Sequence, residues 1–229
     1  MKIEVCYQKN KAAIRVNFER KKIESRATLA LKTGKFNPVH PMHILLALET
    51  IKNGWADQVV LLPKNSGPGK PFLPPFEERL DALQKVASLF SPWLLVSRGK
   101  ERGSNKEAVG WVKREFNSQG LVWIASDSGK SSRRILEKLR AGFSLEEALA
   151  EVTSPSIAKY LYFYYEEDEF VTRLKEANNP HFQLVLMPLQ YHPLRFLHSS
   201  LVRAGKANCS FALTSEGVEM LVASEILAR

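Results

Sequence analysis

The chain has 229 residues, of which 45% are hydrophobic and 25% charged, and its formal net charge is +9 at pH 7. This length and composition are typical of a globular protein with one substantial core, and we expect a single α/β domain. No apolar run approaches the roughly 18 residues of a membrane-spanning helix, and the first residues lack the apolar core of a signal peptide.

The positive charge predicts anionic partners without identifying them. Lysines and arginines are spread along the chain in short clusters such as Arg20–Lys22, whereas a nucleic-acid-binding surface is normally denser. RNA or DNA binding as the main activity is therefore disfavoured. Cys6 and Cys209 lie far apart and belong to no CxxC pair, so we expect reduced thiols in a cytoplasmic protein.

Two short strand-like runs begin the chain. Ile3–Tyr7 and Ala12–Phe18 are separated by the turn-like residues QKNK, a pattern typical of a β-hairpin. We expect residues 1–23 to form a hairpin that extends the edge of a sheet or packs over it.

Five nearly continuous apolar runs follow, most of them separated by helical patterns. Runs of this kind suit parallel strands that are covered on both faces. Their alternation with helices predicts an α/β fold with a Rossmann-like, doubly wound parallel sheet. The predicted strands are Ala27–Leu31, Gln58–Leu62, Trp93–Ser97, Leu121–Ala125 and Phe182–Met187.

Four segments are predicted to be helical. Pro41–Asn53 is apolar nearly all round, which indicates a buried helix, and Phe76–Phe90 has one apolar face. Ser215–Leu227 also has apolar residues at helical spacing, namely Val218, Leu221, Val222 and Ile226. Residues 154–177 begin with Ser154 and a proline, a common helix start. Because this stretch is aromatic-rich and then acidic, we expect a helical insertion or lid.

The loop between the first predicted core strand and the first helix reads TGKFNPVHPMH, from Thr33 to His43. Ligands of doubly wound sheets bind at the carboxyl ends of the strands, and a helix N-terminus attracts anions. Gly34 lets a ligand approach the backbone, and His40 and His43 share a helix face if the first turn includes both. These features favour phosphate binding, while a role in the core stays open for either histidine. HxxH is not a familiar zinc spacing, so no metal site is predicted.

The segment Gly34–His43 resembles the GxFxPxHxGH signature of the nucleotidylyltransferase superfamily, whose Rossmann-like fold is shared with class I aminoacyl-tRNA synthetases. Met42 stands where the common form has glycine, as in some eukaryotic-type nicotinamide-mononucleotide adenylyltransferases, and Lys35 replaces a usual small residue. Near the end of the chain, HSSLVR at His198–Arg203 resembles the ISSTxxR motif of the same superfamily, with Leu201 in place of threonine.

Two weaker landmarks of the superfamily occur between these motifs. The loop and helix after the second predicted strand resemble the basic segment of the family, with Lys70 and Arg79 at the basic positions. The strand LVWIASDS resembles the family's strand ending in Gly-x-Asp, with Ala125 in the glycine's place and Asp127 matching the acid. The resemblance covers residues 27 to 229 in order and leaves the N-terminal hairpin unexplained.

The resemblance implies an adenylyltransferase of NAD biosynthesis, in which the phosphate of nicotinamide or nicotinate mononucleotide attacks the α-phosphorus of ATP and pyrophosphate leaves. Such chemistry depends on alignment and charge stabilisation and needs no side-chain nucleophile. Phosphopantetheine adenylyl transfer, another adenylyl or cytidylyl transfer, and a non-catalytic nucleotide- or RNA-binding relative stay open. Four departures from the motifs keep the last alternative in view, at Lys35, Met42, Ala125 and Leu201.

Site residues follow from matching this sequence to the family's motifs. The implied catalytic residues are His40, His43 and Arg203; the implied ATP- or phosphate-binding residues are Gly34, Lys35, Phe36, Lys70, Ser199 and Ser200; and the implied acceptor-binding residues are Asp127 and Arg79. Magnesium is the implied cofactor, bound mainly through the triphosphate, so protein ligands to a metal are not expected. The implied partners are ATP and a mononucleotide, without a membrane, and a homo-oligomer stays open.

Overall fold

The computed structural model of the chain describes residues 1–18, 28–64, 73–99, 105–117, 121–126, 141–143, 147, 158–165, 170–173, 182–187, 194 and 197–228. The strands in these residues are β1 (Lys2–Gln8), β2 (Lys11–Asn17), β3 (Leu29–Gly34), β4 (Gln58–Pro63), β5 (Leu94–Val96), β6 (Leu121–Ser126), β7 (Ala158–Tyr165), β8 (Phe170–Arg173), β9 (Phe182–Met187), β10 (Ala207–Leu213) and β11 (Gly217–Ser224). The helices are α1 (Pro41–Lys52), α2 (Phe76–Ser88), α3 (Asn105–Glu115) and α4 (Ser199–Arg203), followed by a short 3₁₀ helix at Glu225–Ala228.

The main sheet has seven strands in the order β5-β4-β3-β6-β9-β7-β8. All neighbours are parallel except the pair β7 and β8. From β3 the chain moves outward through α1, β4, α2 and β5, and then returns through α3 to β6 on the other side of β3. This reversal is the topological switch point of a doubly wound sheet, where ligands bind. The predicted Rossmann-like α/β fold and its five core strands are confirmed.

The two predicted helices before residue 90 are also confirmed, as α1 and α2. Nine of the twelve residues of α1 are buried, as expected from a segment that is apolar nearly all round. The hydroxyl of Thr50 donates to the carbonyl of Leu46 at 2.8 Å, so this buried polar group is satisfied. α2 follows two prolines and has Glu77 and Glu78 in its first turn, where they complement the helix dipole. Among the described residues, no helix is both long enough and apolar enough to cross a membrane.

The N-terminal hairpin is confirmed as β1 and β2, but it does not extend the main sheet. It pairs through β2 with β11, giving a separate antiparallel sheet in the order β1-β2-β11-β10. The inner faces of this sheet and of the main sheet belong to one hydrophobic cluster, in which Ile14 and Met220 join Ala30, Leu48 and other apolar residues. The hairpin is therefore covered on one face by the shared core.

The helix predicted at Ser215–Leu227 is wrong, because most of this segment is strand β11. Its buried residues alternate, with Val218, Met220 and Val222 at most 1% exposed, whereas Leu221 is 42% exposed. Alternation with a period of two is the pattern of a strand with one covered face. Leu221 belonged to the predicted helical face, and Met220 did not.

The helical insertion predicted at residues 154–177 is also wrong where the structure describes it. β7 and β8 form an antiparallel hairpin here, and β7 pairs in parallel with β9. The sequence of β7, AKYLYFYY, is rich in aromatic residues, which favour strands over helices. The rest of the range lies outside the described residues. A single domain for the whole chain remains a prediction.

Candidate functional site

The loop between β3 and α1 leaves the carboxyl end of β3, which is next to the middle strand β6 of the main sheet. Phe36 adopts a left-handed backbone conformation, with φ of +44°, and its side chain is 2% exposed. Its ring folds back over Gly34, where an added Cβ would lie 3.2 Å from the ring. Glycine therefore gives this ring the room it needs. The ring of Phe36 therefore lies in the core beneath the loop, and the predicted contact of Phe36 with phosphate stays a prediction.

His40 and His43 lie together at the start of α1. The backbone N–H of His40 donates to Nδ1 of His43 at 3.3 Å, and the N–H of His43 donates to the carbonyl of His40 at 2.9 Å. The two ring centroids are 3.8 Å apart, and the ring of Phe36 meets that of His43 edge-on at 4.9 Å. Because Nδ1 of His43 accepts a hydrogen bond, a neutral His43 has its proton on Nε2.

Both imidazoles are held in the neutral form. Burial, together with the charges of His198 and Lys32, lowers the pKa of His40 to about 3. Burial is also the main reason that the pKa of His43 is well below its usual value, and neighbouring His40, Lys32 and His198 lower it further. Nδ1 of His40 is buried and has no hydrogen-bond partner within the described residues. At neutral pH the pair therefore offers N–H donors and ring nitrogens without a positive charge.

The short helix α4 packs directly on this loop. The hydroxyl of Ser199 donates to the carbonyl of Pro38 at 3.0 Å, and Nη1 of Arg203 donates to the carbonyl of Asn37. Ser200 and Arg203 are exposed. The two segments that resemble family motifs are thus brought together, although the hydrogen-bonded residues are 161 and 166 positions apart.

Arg79, in the first turn of α2, ties the surrounding loops together. Its guanidinium is buried and donates to the carbonyls of Lys35 at 2.7 Å, Lys64 at 3.0 Å and Pro74 at 3.2 Å. Burial lowers the pKa of this side chain. These bonds connect the loops after β3 and β4 to α2. The guanidinium of Arg79 thus positions the backbone of those loops, and its predicted contact with the acceptor stays a prediction.

The remaining predicted residues have different outcomes. Lys35 is half-buried in the loop before α1. Lys70 and Asp127 lie outside the described residues, so their roles stay predictions. No group of three or more His, Cys, Asp or Glu side chains that could hold a metal occurs in the described part of the chain.

Three basic residues near the histidines were absent from the predicted site. Lys32 lies in β3, Lys64 follows β4, and His198 precedes α4. Lys32 and His198 both act on the pKa values of the histidine pair, and Lys64 acts on that of Lys32. The sequence signal for Lys32 is a lone lysine inside the apolar run LALKTG, and for His198 it is the first letter of the HSSLVR motif.

Comparisons with known proteins give likenesses at low identity. No protein-family model matches the chain, and no curated protein matches it. The structure of Plasmodium falciparum nicotinic acid mononucleotide adenylyltransferase complexed with APC aligns with 78% of this chain and 83% of its own, at 12% identity and a TM-score of 0.46.

Two structures of NadR protein align with smaller shares of their own chains. The complex with NR shows 13% identity and a TM-score of 0.39, covering 79% of this chain and 42% of NadR. The complex with NAD and AMP-PNP shows 15% identity and a TM-score of 0.38, covering 79% and 44%. The chain thus spans less than half the length of these NadR structures. Likenesses of this size identify neither family nor substrate, so the function rests on the chain's own site residues.

Proposed function

We propose that the chain is a nucleotidyltransferase that moves AMP from ATP to the phosphate of a mononucleotide and releases pyrophosphate. The observation that carries this proposal is the packing of α4 on the loop before α1, through Ser199 and Arg203. Two motif-like segments that are distant in sequence thus meet at the carboxyl end of β3. Ligands of doubly wound sheets bind at the switch point where these segments meet.

The chemistry asks for alignment and charge stabilisation. An oxygen of the acceptor phosphate forms a bond to the α-phosphorus, the bond from that phosphorus to the bridging oxygen breaks, and pyrophosphate takes the electron pair. Neutral His40 and His43 donate N–H groups to phosphate oxygens as negative charge redistributes. Arg203 uses one N–H group on Asn37, and a guanidinium has five N–H donors, so others remain for phosphate.

Two of the four motif departures place their side chains in the core and are therefore compatible with a working site. Met42, in place of the common glycine, is 3% exposed and lies in the hydrophobic core. Leu201, in place of threonine, also packs against the core. Since both side chains are directed into apolar packing, neither occupies the space beside the histidines.

The proposed acceptor is nicotinamide or nicotinate mononucleotide, on the family resemblance of the motifs, with a role in NAD biosynthesis in the cytoplasm. The described groups around the histidines are basic or neutral, which suits phosphate oxygens and does not suit a bare cation. Magnesium would therefore be held by the triphosphate and water, and when bound it supplies charge neutralisation to that triphosphate.

Pyrophosphate release tests the proposal. The purified protein is incubated with ATP, Mg²⁺ and nicotinamide mononucleotide, nicotinate mononucleotide or phosphopantetheine in turn. We expect release with a nicotinic acceptor, and a loss of about 10²- to 10³-fold in kcat for His43→Ala, as for removal of one preorganised donor. His43→Gln keeps an N–H donor near the position of Nε2 and should retain more activity than His43→Ala.

The alternatives give different results in the same assay. Release with phosphopantetheine alone would change the acceptor and keep the reaction class. Measurable ATP binding with no release from any acceptor would overturn transfer and leave a nucleotide-binding protein.

A further inference from the structure

β3 and β6 separate at the switch point of the main sheet. They pair from Leu29 to Leu31 on β3, where Leu31 lies opposite Trp123. Beyond this point β3 continues beside β4 as far as Gly34, and β6 continues beside β9 as far as Ser126. A crevice opens between two neighbouring parallel strands where they stop pairing with each other and each continues beside its outer neighbour. Lys32 is the first residue of β3 beyond the shared pairing.

The side chain of Lys32 lies on the same face of the sheet as the histidines. Alternate residues of a strand share a face, so Lys32 follows Ala30, which belongs to the core cluster together with Ile44 and Leu48 of α1. Its register partner in β4, Leu61, belongs to that cluster too. α1 covers this face and begins at the His40–His43 pair.

Lys32 is a partly buried cation without a counter-charge in the described part of the chain. None of the ion pairs and side-chain hydrogen bonds described there involves it. Within the described residues, the titratable groups that act on it or on its histidine neighbours are all basic: Lys64 after β4, His40 and His43 at the start of α1, and His198 before α4. Burying an ammonium without a partner is unfavourable, and a bound anion would relieve that cost.

We propose that the ammonium of Lys32 is a substrate-contacting residue that binds the phosphate chain of the nucleotide in the crevice between β3 and β6, beside His40 and His43. The identity of the ligand rests on the proposed function, while the anion site itself rests on the placement of Lys32. The lysine supplies the positive charge that two neutral imidazoles do not supply.

The pH dependence of catalysis provides a signature for this role. Burial and the neighbouring charge of Lys64 lower the pKa of Lys32 to about 8, and only the protonated amine attracts phosphate. Since kcat/KM reports the free enzyme, kcat/KM for ATP should fall as the pH rises through about 8. Lys32→Arg should remove this fall, because guanidinium stays charged. Lys64→Met should move the fall in kcat/KM to higher pH, because the charge of Lys64 is one cause of the lowered pKa of Lys32. His40 and His43 are already neutral across this range.

Direct binding tests the proposal without turnover. Calorimetry measures the affinity of the full chain for Mg-ATP and for inorganic pyrophosphate at pH 7, in the wild type, Lys32→Met, Lys32→Arg and Lys85→Met. Lys85 is a matched control, because it is an exposed lysine of α2 paired with Asp81 at 2.7 Å. A charge-assisted hydrogen bond predicts a loss of roughly 10- to 100-fold for Lys32→Met. We expect Lys32→Arg to stay within about fivefold of wild type, since its charge is kept, and Lys85→Met to be unchanged.

Failure of this inference and failure of the proposed function look different. A folded Lys32→Met protein that binds both ligands as tightly as wild type overturns the role of Lys32, even if AMP transfer occurs. Binding of pyrophosphate that depends on Lys32, without transfer to any acceptor, supports the anion site and overturns the proposed reaction. A wild-type chain that binds neither ligand overturns both.

Discussion

At the scale of single residues, neutral histidines determine how the site responds to acid. His40 and His43 are protonated with difficulty in the folded chain, because burial lowers both pKa values, whereas unfolded histidine titrates near 6.5. Below that value the unfolded chain binds more protons than the folded chain, so stability falls as the pH falls. The site that favours neutral N–H donors therefore destabilises the fold in acid.

Acid sensitivity of stability gives the first residue-scale prediction. Between pH 6.5 and 4.5 we expect the free energy of unfolding to fall by about 1 kcal/mol per pH unit for each histidine. Urea unfolding at several pH values measures this dependence of the free energy of unfolding on pH. The double variant His40→Gln and His43→Gln should show a shallower slope, and an unchanged slope would mean that the two imidazoles are protonated equally easily in both states.

Lys32 gives a prediction of the same sign at higher pH, because burial opposes its charged form as it opposes that of the two histidines. Its folded pKa of about 8 lies below the unfolded value, so the charge costs stability in full below pH 8, and this cost fades as the pH rises towards the unfolded pKa. Lys32→Met should therefore raise the free energy of unfolding at pH 7 by about 1–2 kcal/mol while phosphate binding weakens.

Urea unfolding at pH 7 and pH 9.5 checks this trade between stability and binding. The difference in the free energy of unfolding between Lys32→Met and the wild type should be smaller at pH 9.5, where Lys32 of the folded wild type has lost its charge. A variant less stable than wild type at pH 7 would show that the ammonium is well solvated or paired in the free protein.

At the scale of elements, the sequence predicted those segments whose apolar pattern had one interpretation. The five core strands and α1 correspond to nearly continuous apolar runs, which left no competing period. At β11 the helical and strand periods both fit, because Val218 and Val222 suit a helix as well as a strand. The burial of Met220 and the exposure of Leu221 distinguish the two and show a strand. That burial arises from pairing with β2, which no local pattern contains.

The site shows the same division between local and non-local information. His40, His43 and the HSSLVR segment were predictable because their residue order resembles known motifs. Lys32 was missed, since within an apolar run it indicates only a strand, and its importance depends on where β3 stops pairing with β6. Arg79 was predicted as a ligand-binding residue, yet its bonds to three carbonyls depend on how two loops meet α2.

The register between β2 and β11 gives an element-scale prediction. Gly217 lies opposite Asn17, and a Cβ added there would lie 2.0 Å from the carbonyl oxygen of Val16. Because the clash is with backbone, it cannot be relieved by a rotamer change. Gly217→Ala should therefore lower the free energy of unfolding by about 2–3 kcal/mol, like other overpacked sites.

A matched glycine separates this clash from a general effect of alanine. At Gly110 of α3 an added Cβ meets only the side-chain tip of Arg114, at 3.5 Å. Gly110→Ala should be neutral or stabilise by up to about 1 kcal/mol. Thermal unfolding compares the two variants, and equal melting temperatures would show that β11 shifts to accept the methyl group.

At the scale of the whole molecule, the two sheets share one core and α4 lies between them in the chain. α4 contacts the loop of the main sheet through Ser199 and Arg203, and the strand that follows it, β10, begins the C-terminal half of the second sheet. The position of HSSLVR at the site therefore depends on the antiparallel sheet. This gives the N-terminal hairpin a structural reason, because β2 is the partner that holds β11 in that sheet.

Shared packing predicts that both sheets unfold together. Phe18, just after the hairpin, stacks on Trp93 next to β5, with ring centroids 4.4 Å apart. In a variant whose other three tryptophans are replaced by phenylalanine, the fluorescence of Trp93 reports the contact between the two parts. We expect its urea transition to coincide with that of circular dichroism, as in a two-state domain. Ile14→Ala leaves a cavity at a fully buried position in β2 and should lower the free energy of unfolding by about 2–5 kcal/mol. The urea midpoints of both signals should fall by the same amount. If fluorescence changed at lower urea than circular dichroism, the second sheet would unfold by itself, and α4 would then be released from the site before the main sheet melts.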